Sequence, residues 1–249
     1  NVGKCVVKLI NSIVNGAVLL TFLLLFAYGC YALWDSGQVY AASDASQYEV
    51  YKPDDEDSLS FEELVAQNSE IFGWLTVDGT HIDYPIVQAD NNDKYINTDV
   101  WGNFSLGGSI FLDYRNDRNF LDFNSIIYGH HMEKEAMFGE LANFKDKDYF
   151  ESHRYGSLYY GGENHRLEFF AFLETDAYDS RIYTPALPQE MRREFIESLM
   201  SRAVNVSGIS VDNSDHLVLL STCTSESTNG RHILVGKIMD REVPVSKGN

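Results

Sequence analysis

The residues best suited to covalent chemistry are a cysteine and an arginine near the end of the chain. Cys223 ends an apolar run, HLVLLSTC, and Arg231 begins a second run, RHILVGKIM. Both runs are typical of β-strands, and the turn signal Asn229-Gly230 lies between them. Paired as antiparallel strands, they would place the thiol beside a permanent positive charge, which favours a thiolate and stabilises negative charge on a bound oxygen. The alternative is that Cys223 is a small buried hydrophobic residue.

A second stretch, NSIIYGHHM at residues 124–132, supplies histidines. Its isoleucines predict a short strand, and Gly129 allows a tight exit that leaves His130 and His131 at the strand end. Histidine is the usual acid or base partner of a nucleophilic thiol, and the two need to be adjacent only in space. The sequence therefore contains the parts of a cysteine nucleophile, with the pairing of distant segments left to the fold.

These motifs resemble those of a known family. The segment LSTC, followed by a loop and by an arginine that opens an apolar strand, is similar to the signature of sortases, the transpeptidases that attach proteins to Gram-positive cell walls. The YGHHM segment resembles their Gly-His element. Three further segments resemble class B sortases in particular: GWLTVDGTHIDYPIVQADNNDKYINTD, GSIFLDYRND and MFGELANFKDKDYF. The similarity extends over residues 61–238.

The resemblance implies roles for individual residues. Cys223 would be the nucleophile, His130 the general acid and base, and Arg231 the side chain that holds the substrate and the developing oxyanion. His130 is preferred over His131 because the glycine precedes it directly, and His131 is expected to pack or to shape the pocket. The candidates for lining the substrate groove are Ser221, Thr222, Tyr128 and His131.

The implied reaction is acyl transfer through a thioester. The enzyme would cleave a sorting-signal peptide, typically after threonine, and pass the acyl group to an amine of a cell-wall precursor or of a pilin lysine. Two other classes of function stay open. A cysteine peptidase would use water as the acceptor, and a surface adhesin or scaffold would form no acyl-enzyme.

The N-terminal segment predicts membrane attachment. Residues 17–34 are almost entirely apolar and long enough to cross a bilayer, with Lys4 and Lys8 before them. By the positive-inside rule the N-terminus is then cytoplasmic and the catalytic domain extracellular. The alternative is a cleaved signal peptide, because small residues occur near residues 39–41 at a spacing like that of cleavage sites.

Composition excludes several partners. A formal charge of −18 and a pI near 4.6 argue against binding to phosphate backbones, so no nucleic-acid partner is expected. Cys5 and Cys30 lie at or in the membrane segment, which leaves Cys223 without a disulfide partner in the exported part. The sequence has no Walker loop and no GxGxxG, so no nucleotide cofactor is expected, and without CxxC or HExxH a zinc site at the histidines and cysteine is disfavoured.

The remaining pattern predicts a mostly β domain with peripheral helices. We expect a membrane segment at 1–34, a flexible stalk at 35–58 and a catalytic domain at 59–249, with an exposed loop at 113–124. The apolar runs predict about eight strands and three or four helices, and the resemblance implies a sortase-like closed β-barrel preceded by the transmembrane helix. Strands are expected at 74–77, 81–87, 109–112, 126–127, 166–175, 216–223 and 231–239, and helices near 61–65, 137–144 and 191–199.

Overall fold

The computed structural model describes residues 2–53, 59–224 and 227–239, and the chain separates into two compact units, residues 1–41 and 42–249. The first unit is formed by helix α1 (Val2–Ala42), in which no residue is buried. This helix is long and apolar enough to cross a membrane, a property that a signal sequence near an N-terminus shares. It therefore agrees with the predicted membrane segment without fixing its orientation.

The second unit is built on a closed β-barrel of eight strands. The strands follow the order β5-β1-β2-β3-β4-β8-β9-β6, and β6 also pairs with β5, which closes the sheet. The ninth strand, β7 (Asn205–Val206), pairs with β6. The barrel strands are β1 (Ile71–Val77), β2 (Asp83–Val87), β3 (Ile110–Leu112), β4 (Asn124–Tyr128), β5 (Tyr155–Tyr160), β6 (Glu163–Asp176), β8 (Leu217–Cys223) and β9 (Gly230–Ile238). The prediction of a closed barrel of about eight strands is confirmed.

In the described part of the second unit, three α-helices and three 3₁₀ turns surround this barrel. Helix α4 (Gln189–Arg202) lies between β6 and β8 in sequence, where the amphipathic pattern predicts a helix. The helices are α2 (Leu59–Gln67), α3 (Lys147–Ser152) and α4 (Gln189–Arg202), and the 3₁₀ turns are Ala45–Tyr51, Lys94–Ile96 and Gly139–Lys145.

Strands β4 and β8 are buried on both faces, which explains the consecutive apolar residues in the middle of β4 and in the first half of β8. Ile127 and Leu220 face the larger core cluster, whereas Ile126 and Leu219 face a second cluster that includes Phe195 of α4. Successive strand residues point to opposite faces, so a strand covered on both sides can bury apolar residues at consecutive positions. This burial fixes the register and hence the positions of the residues that follow these strands.

The register brings the ends of three strands to one rim of the barrel. Strand β4 runs parallel to β8 with Tyr128 opposite Ser221, and β8 runs antiparallel to β9 with Cys223 opposite Arg231. The residues after β4, the last residue of β8 and the first residues of β9 therefore lie together, although more than ninety positions separate the first from the second.

The structure differs from the expected stalk in the region that it describes. Helix α1 continues to Ala42, and Tyr48 in the following 3₁₀ turn is buried against Tyr84 and Trp101. The Tyr84 hydroxyl also donates to the backbone oxygen of Ser43 at 2.9 Å. Residues 43–51 thus pack into the second unit through aromatic side chains, despite their polar composition. The acidic cluster at 54–57 lies outside the described residues.

Two other segments depart from the sequence expectation. Strand β5 was not expected, because its sequence YGSLYY carries a glycine and little aliphatic character, yet it pairs with both β1 and β6. The loop at 113–124 was expected to be exposed, but Asp113, Phe120 and Phe123 are buried in it. The expectation of exposure was wrong at these positions because the charged residues around them suggested a solvated loop, whereas the segment contributes two aromatic side chains to the core and one buried carboxylate.

Candidate active site

The rim where β4, β8 and β9 meet opens into a cavity of about 540 Å³. Cys223, His130 and Arg231 all line it, so the structure brings the three predicted catalytic side chains together. The remaining lining residues are Asn92, Asp93, Ile96, Phe111, Arg115, Tyr128, Gly129, Ala177, Tyr183, Ser221 and Thr222.

Cys223 is the exposed end of an otherwise buried strand. The six residues before it in β8 are buried, whereas Cys223 is solvent accessible and forms no disulfide. The next amide, the Thr224 N–H, donates to the Gly230 carbonyl at 3.0 Å. The thiol can therefore be reached from solvent, which excludes the interpretation of Cys223 as a buried hydrophobic residue.

His130 is positioned by the backbone on either side of it. The Gly129 N–H donates to the Ser221 carbonyl at 3.2 Å, which continues the β4–β8 pairing by one residue. The His130 Nε2 lies 2.8 Å from the Ile96 carbonyl oxygen. A carbonyl oxygen only accepts, so Nε2 carries a proton and Nδ1 is the ring nitrogen left to exchange one.

Arg231 retains free donors beside the thiol. Its Nη1 donates to the Gly230 carbonyl at 2.8 Å and to the Thr228 carbonyl at 3.4 Å. Among the described residues, Nε and Nη2 of Arg231 have no hydrogen-bond partner, and its side chain forms no ion pair. A guanidinium with unused N–H groups at a cavity wall is suited to binding a carbonyl oxygen or an oxyanion.

Of the four predicted groove residues, three line the cavity and one does not. Tyr128, Ser221 and Thr222 contribute to the wall, although Ser221 and Thr222 are almost fully buried. His131 is not a lining residue, and its backbone pairs with Met137 instead. Its position agrees with a packing role and places it outside the groove wall.

Tyr183 is the main wall residue that the sequence did not predict. Its ring stacks on Tyr128 at a centroid distance of 6.2 Å, and its hydroxyl lies 2.9 Å from Ser221 Oγ, two residues before the nucleophile. Burial raises the pKa of Tyr183 to about 12, so the phenol is neutral at physiological pH. It stands in the loop between β6 and α4, where no local motif distinguishes it from neighbouring polar residues.

The described residues contain one group that could hold a cation, and it is separate from this cavity. The ligand atoms of His81, Glu135 and Glu140 lie within 4.8 Å of one another. None of the three lines the cavity. No such group forms around Cys223 in the part of the chain that is described, where the reactive groups are a thiol, an imidazole and a guanidinium.

Comparison with known proteins places the chain in a family. The sequence model of the Sortase domain matches residues 75–239, which includes β8, β9 and the histidine segment. The chain is 35% identical to Sortase B of Listeria monocytogenes over 181 residues, which cover 72% of this chain and 74% of that protein.

Solved structures agree in fold and in subclass. Sortase B from the type II pilus of Streptococcus pneumoniae is 47% identical, with a TM-score of 0.64 over 73% of this chain and 99% of that one. A Streptococcus pyogenes class B sortase involved in pilus biogenesis is 43% identical, with a TM-score of 0.67 over 73% of this chain and 98% of that one. The chain therefore belongs to the sortases, a family of cysteine transpeptidases, and within them to class B.

Proposed function

We propose that this protein cleaves a C-terminal sorting signal of surface proteins through a thioester at Cys223 and transfers the acyl group to an amine. The observation that carries the proposal is that an exposed thiol, an imidazole and a guanidinium line the same cavity. These groups supply a nucleophile, a proton carrier and an oxyanion donor, which together suffice for acyl transfer.

In the first half-reaction the Cys223 thiolate attacks the peptide carbonyl carbon after threonine. The oxygen becomes negative as the tetrahedral intermediate forms, and the unpaired N–H groups of Arg231 stabilise it. The C–N bond then breaks, and the departing amine takes a proton from Nδ1 of His130. The products are a thioester on Cys223 and the free C-terminal fragment.

In the second half-reaction an amine attacks the thioester carbonyl. The amine gives its proton to Nδ1 of His130, the C–S bond breaks, and Cys223 leaves as the thiolate. The Nε2 hydrogen bond to the Ile96 carbonyl persists in both protonation states, because Nε2 is a donor in each. That carbonyl holds the ring still while Nδ1 alternates.

The relatives favour one kind of acceptor. The two streptococcal structures come from a pilus and from a class B sortase of pilus biogenesis. We accordingly favour a pilin lysine as the amine, with a cell-wall precursor as the second candidate.

Helix α1 supports a location at the cell membrane. It is long and apolar enough to cross a membrane, and Lys4 and Lys8 precede its most apolar part. In the proposed arrangement the helix crosses once, the N-terminus is cytoplasmic and the catalytic unit is extracellular, where sorting signals emerge.

The experiment uses the full chain in detergent with a panel of fluorogenic peptides that share a threonine before the scissile bond. Wild type should cleave at least one peptide and show an acyl-enzyme mass, whereas Cys223→Ala should do neither. The matched control replaces Cys5 and Cys30 by serine and should retain both properties. Full cleavage by Cys223→Ala would end the proposal.

Adding an amine separates transpeptidation from hydrolysis. Lysine-containing pilin peptides and glycine peptides should yield ligated products at the expense of free acid. Release of free acid alone, at every amine concentration, would identify a peptidase instead.

A further inference from the structure

A carboxylate that the reaction does not use lies behind the cavity wall. Asp113 follows β3 directly and is 0% exposed, and it is not one of the lining residues. Its N–H donates to the Ile126 carbonyl of β4 at 2.8 Å, and its own carbonyl accepts from Gln88 Nε2 at 2.8 Å. The backbone of Asp113 is therefore held by the barrel, and its carboxylate is left to accept hydrogen bonds from other residues.

Among the residues that the structure describes, every donor to this carboxylate belongs to the cavity wall. Arg115 donates its backbone N–H at 3.0 Å, its Nε at 2.8 Å and its Nη2 at 2.7 Å. The Asn92 amide donates at 3.0 Å and the Tyr128 hydroxyl at 2.9 Å. Asn92, Arg115 and Tyr128 all line the cavity, and they come from three separate segments of the chain.

The carboxylate is ionised at neutral pH. Burial alone would raise the pKa of Asp113, but the hydrogen bonds from Arg115, Asn92 and Tyr128 outweigh it and hold that pKa below its usual range. Hydrogen bonds to a charged acceptor are shorter and stronger than neutral ones, so each donor is held tightly. A protonated or amide group at this position would lose acceptor capacity and release part of the wall.

The same network extends to the strand of the nucleophile. Tyr128 stacks on Tyr183, and Arg115 Nη2 also donates to the Tyr183 carbonyl at 3.3 Å. The hydroxyl of Tyr183 then contacts Ser221 Oγ on β8. In contrast, Cys223 is positioned by the β8–β9 register, which does not involve Asp113.

We propose that Asp113 is a positioning residue for the peptide substrate, acting through Asn92, Arg115 and Tyr128 without touching the peptide. This inference rests on the proposed function and adds to it a residue that sets peptide binding. The wall that these side chains form would hold the peptide, while the thiol, imidazole and guanidinium perform the chemistry. Loss of the carboxylate should therefore weaken peptide binding more than it slows the chemical step.

The first test is Asp113→Asn in the full chain, assayed with the best-cleaved peptide of the panel. The KM should rise about tenfold or more, because at least one charge-assisted hydrogen bond to the wall is lost, while kcat changes less than about threefold. The matched control is Glu168→Gln, which removes a largely buried carboxylate of β6 that pairs with Arg154 and does not line the cavity. Its KM should stay at the wild-type value although its stability falls.

A second variant keeps the test decisive if Asp113→Asn does not fold. Tyr128→Phe removes only the hydroxyl that reaches Asp113 and retains the ring that stacks on Tyr183. It should raise KM about threefold or more in the wild-type background. Where Asp113→Asn folds, the same change should raise KM much less in that background, because both substitutions break the same Tyr128–Asp113 hydrogen bond. A wild-type KM in Tyr128→Phe, or equal KM changes in Asp113→Asn and Glu168→Gln, would overturn the proposal.

A substrate-free measurement separates this proposal from the proposed function. In NMR spectra of the full chain, the Asn92 side-chain amide should have a distinctive shift that moves toward the random-coil value in Asp113→Asn and stays in Glu168→Gln. Wild type that cleaves no peptide would refute the proposed function alone. An Asn92 amide resonance unchanged in Asp113→Asn would refute the positioning role whatever the activity.

Discussion

Gly129, the residue directly before the proposed catalytic histidine, has no room for a side chain. A methyl group added there would lie 2.5 Å from Ile110 Cδ1 and 2.7 Å from Phe138 Cδ2. Phe138 is fully buried and Ile110 is 1% exposed, so neither can swing into solvent. Forcing an extra methyl group into a packed core typically costs about 1–3 kcal/mol. We expect Gly129→Ala to lose this much unfolding free energy.

The catalytic loss should exceed the loss of stability. The contacts with Ile110 and Phe138 push the backbone at 129, and His130 moves with it. Displacement of a catalytic group by about 1 Å can lower the rate about a hundredfold. We therefore expect turnover to fall by one to two orders of magnitude, about ten- to a hundredfold, even at temperatures where the variant is fully folded.

The assay pairs urea unfolding of the full chain in detergent with peptide cleavage. Gly208→Ala is the matched control, because no atom lies within 4 Å of the added methyl group and the backbone there is not left-handed. Its stability should equal that of wild type or exceed it slightly. If Gly129→Ala stays within about 0.5 kcal/mol of wild type and keeps its turnover, the tight packing before His130 does not constrain the site.

Three further predictions follow from the cavity and its surroundings. Arg231→Lys keeps the charge but loses the guanidinium fork, so peptide cleavage should fall about a hundredfold, and unchanged turnover would reduce Arg231 to a simple charge. His130→Ala should lower cleavage by about 10²–10⁴, and His131→Ala much less, so the reverse ranking in the same cleavage assay would reassign the acid and base. Burial lowers the pKa of His232, so its unfolded state binds a proton first as pH falls below about 6.5, and stability declines there. His232→Gln should flatten this decline in urea titrations at pH values below about 6.5, and a slope equal to that of wild type would show that His232 does not cause it.

The parts of the site carried by continuous strands could be predicted from sequence. The apolar run before Cys223, the turn signal after it and the strand that begins near Arg231 fix that pair through local rules alone. His130 required more, because nothing local indicates that β4 pairs with β8. The resemblance to sortases assigned His130 to the same site as Cys223, and the β4–β8 register brings the two to one rim.

The loops that complete the cavity could not be predicted in the same way. Tyr183 and Arg115 come from polar segments without periodicity, and their places depend on contacts with residues far away in the chain. The packed segment around Tyr48 was missed for a similar reason, because small and acidic residues surround the tyrosines that anchor it. Long-range contacts of this kind leave no regular signal in composition or spacing.

The parallel pairing of β4 with β8 has a consequence for how the protein becomes active. These two strands are ninety or so positions apart in sequence, and a contact between such distant segments forms late, after the entropy of closing a large loop has been overcome. Until then Arg231 can lie beside the sulfur through the β8–β9 pairing, but His130 does not. A newly made chain therefore lacks the acid and base of the proposed reaction until the barrel is complete.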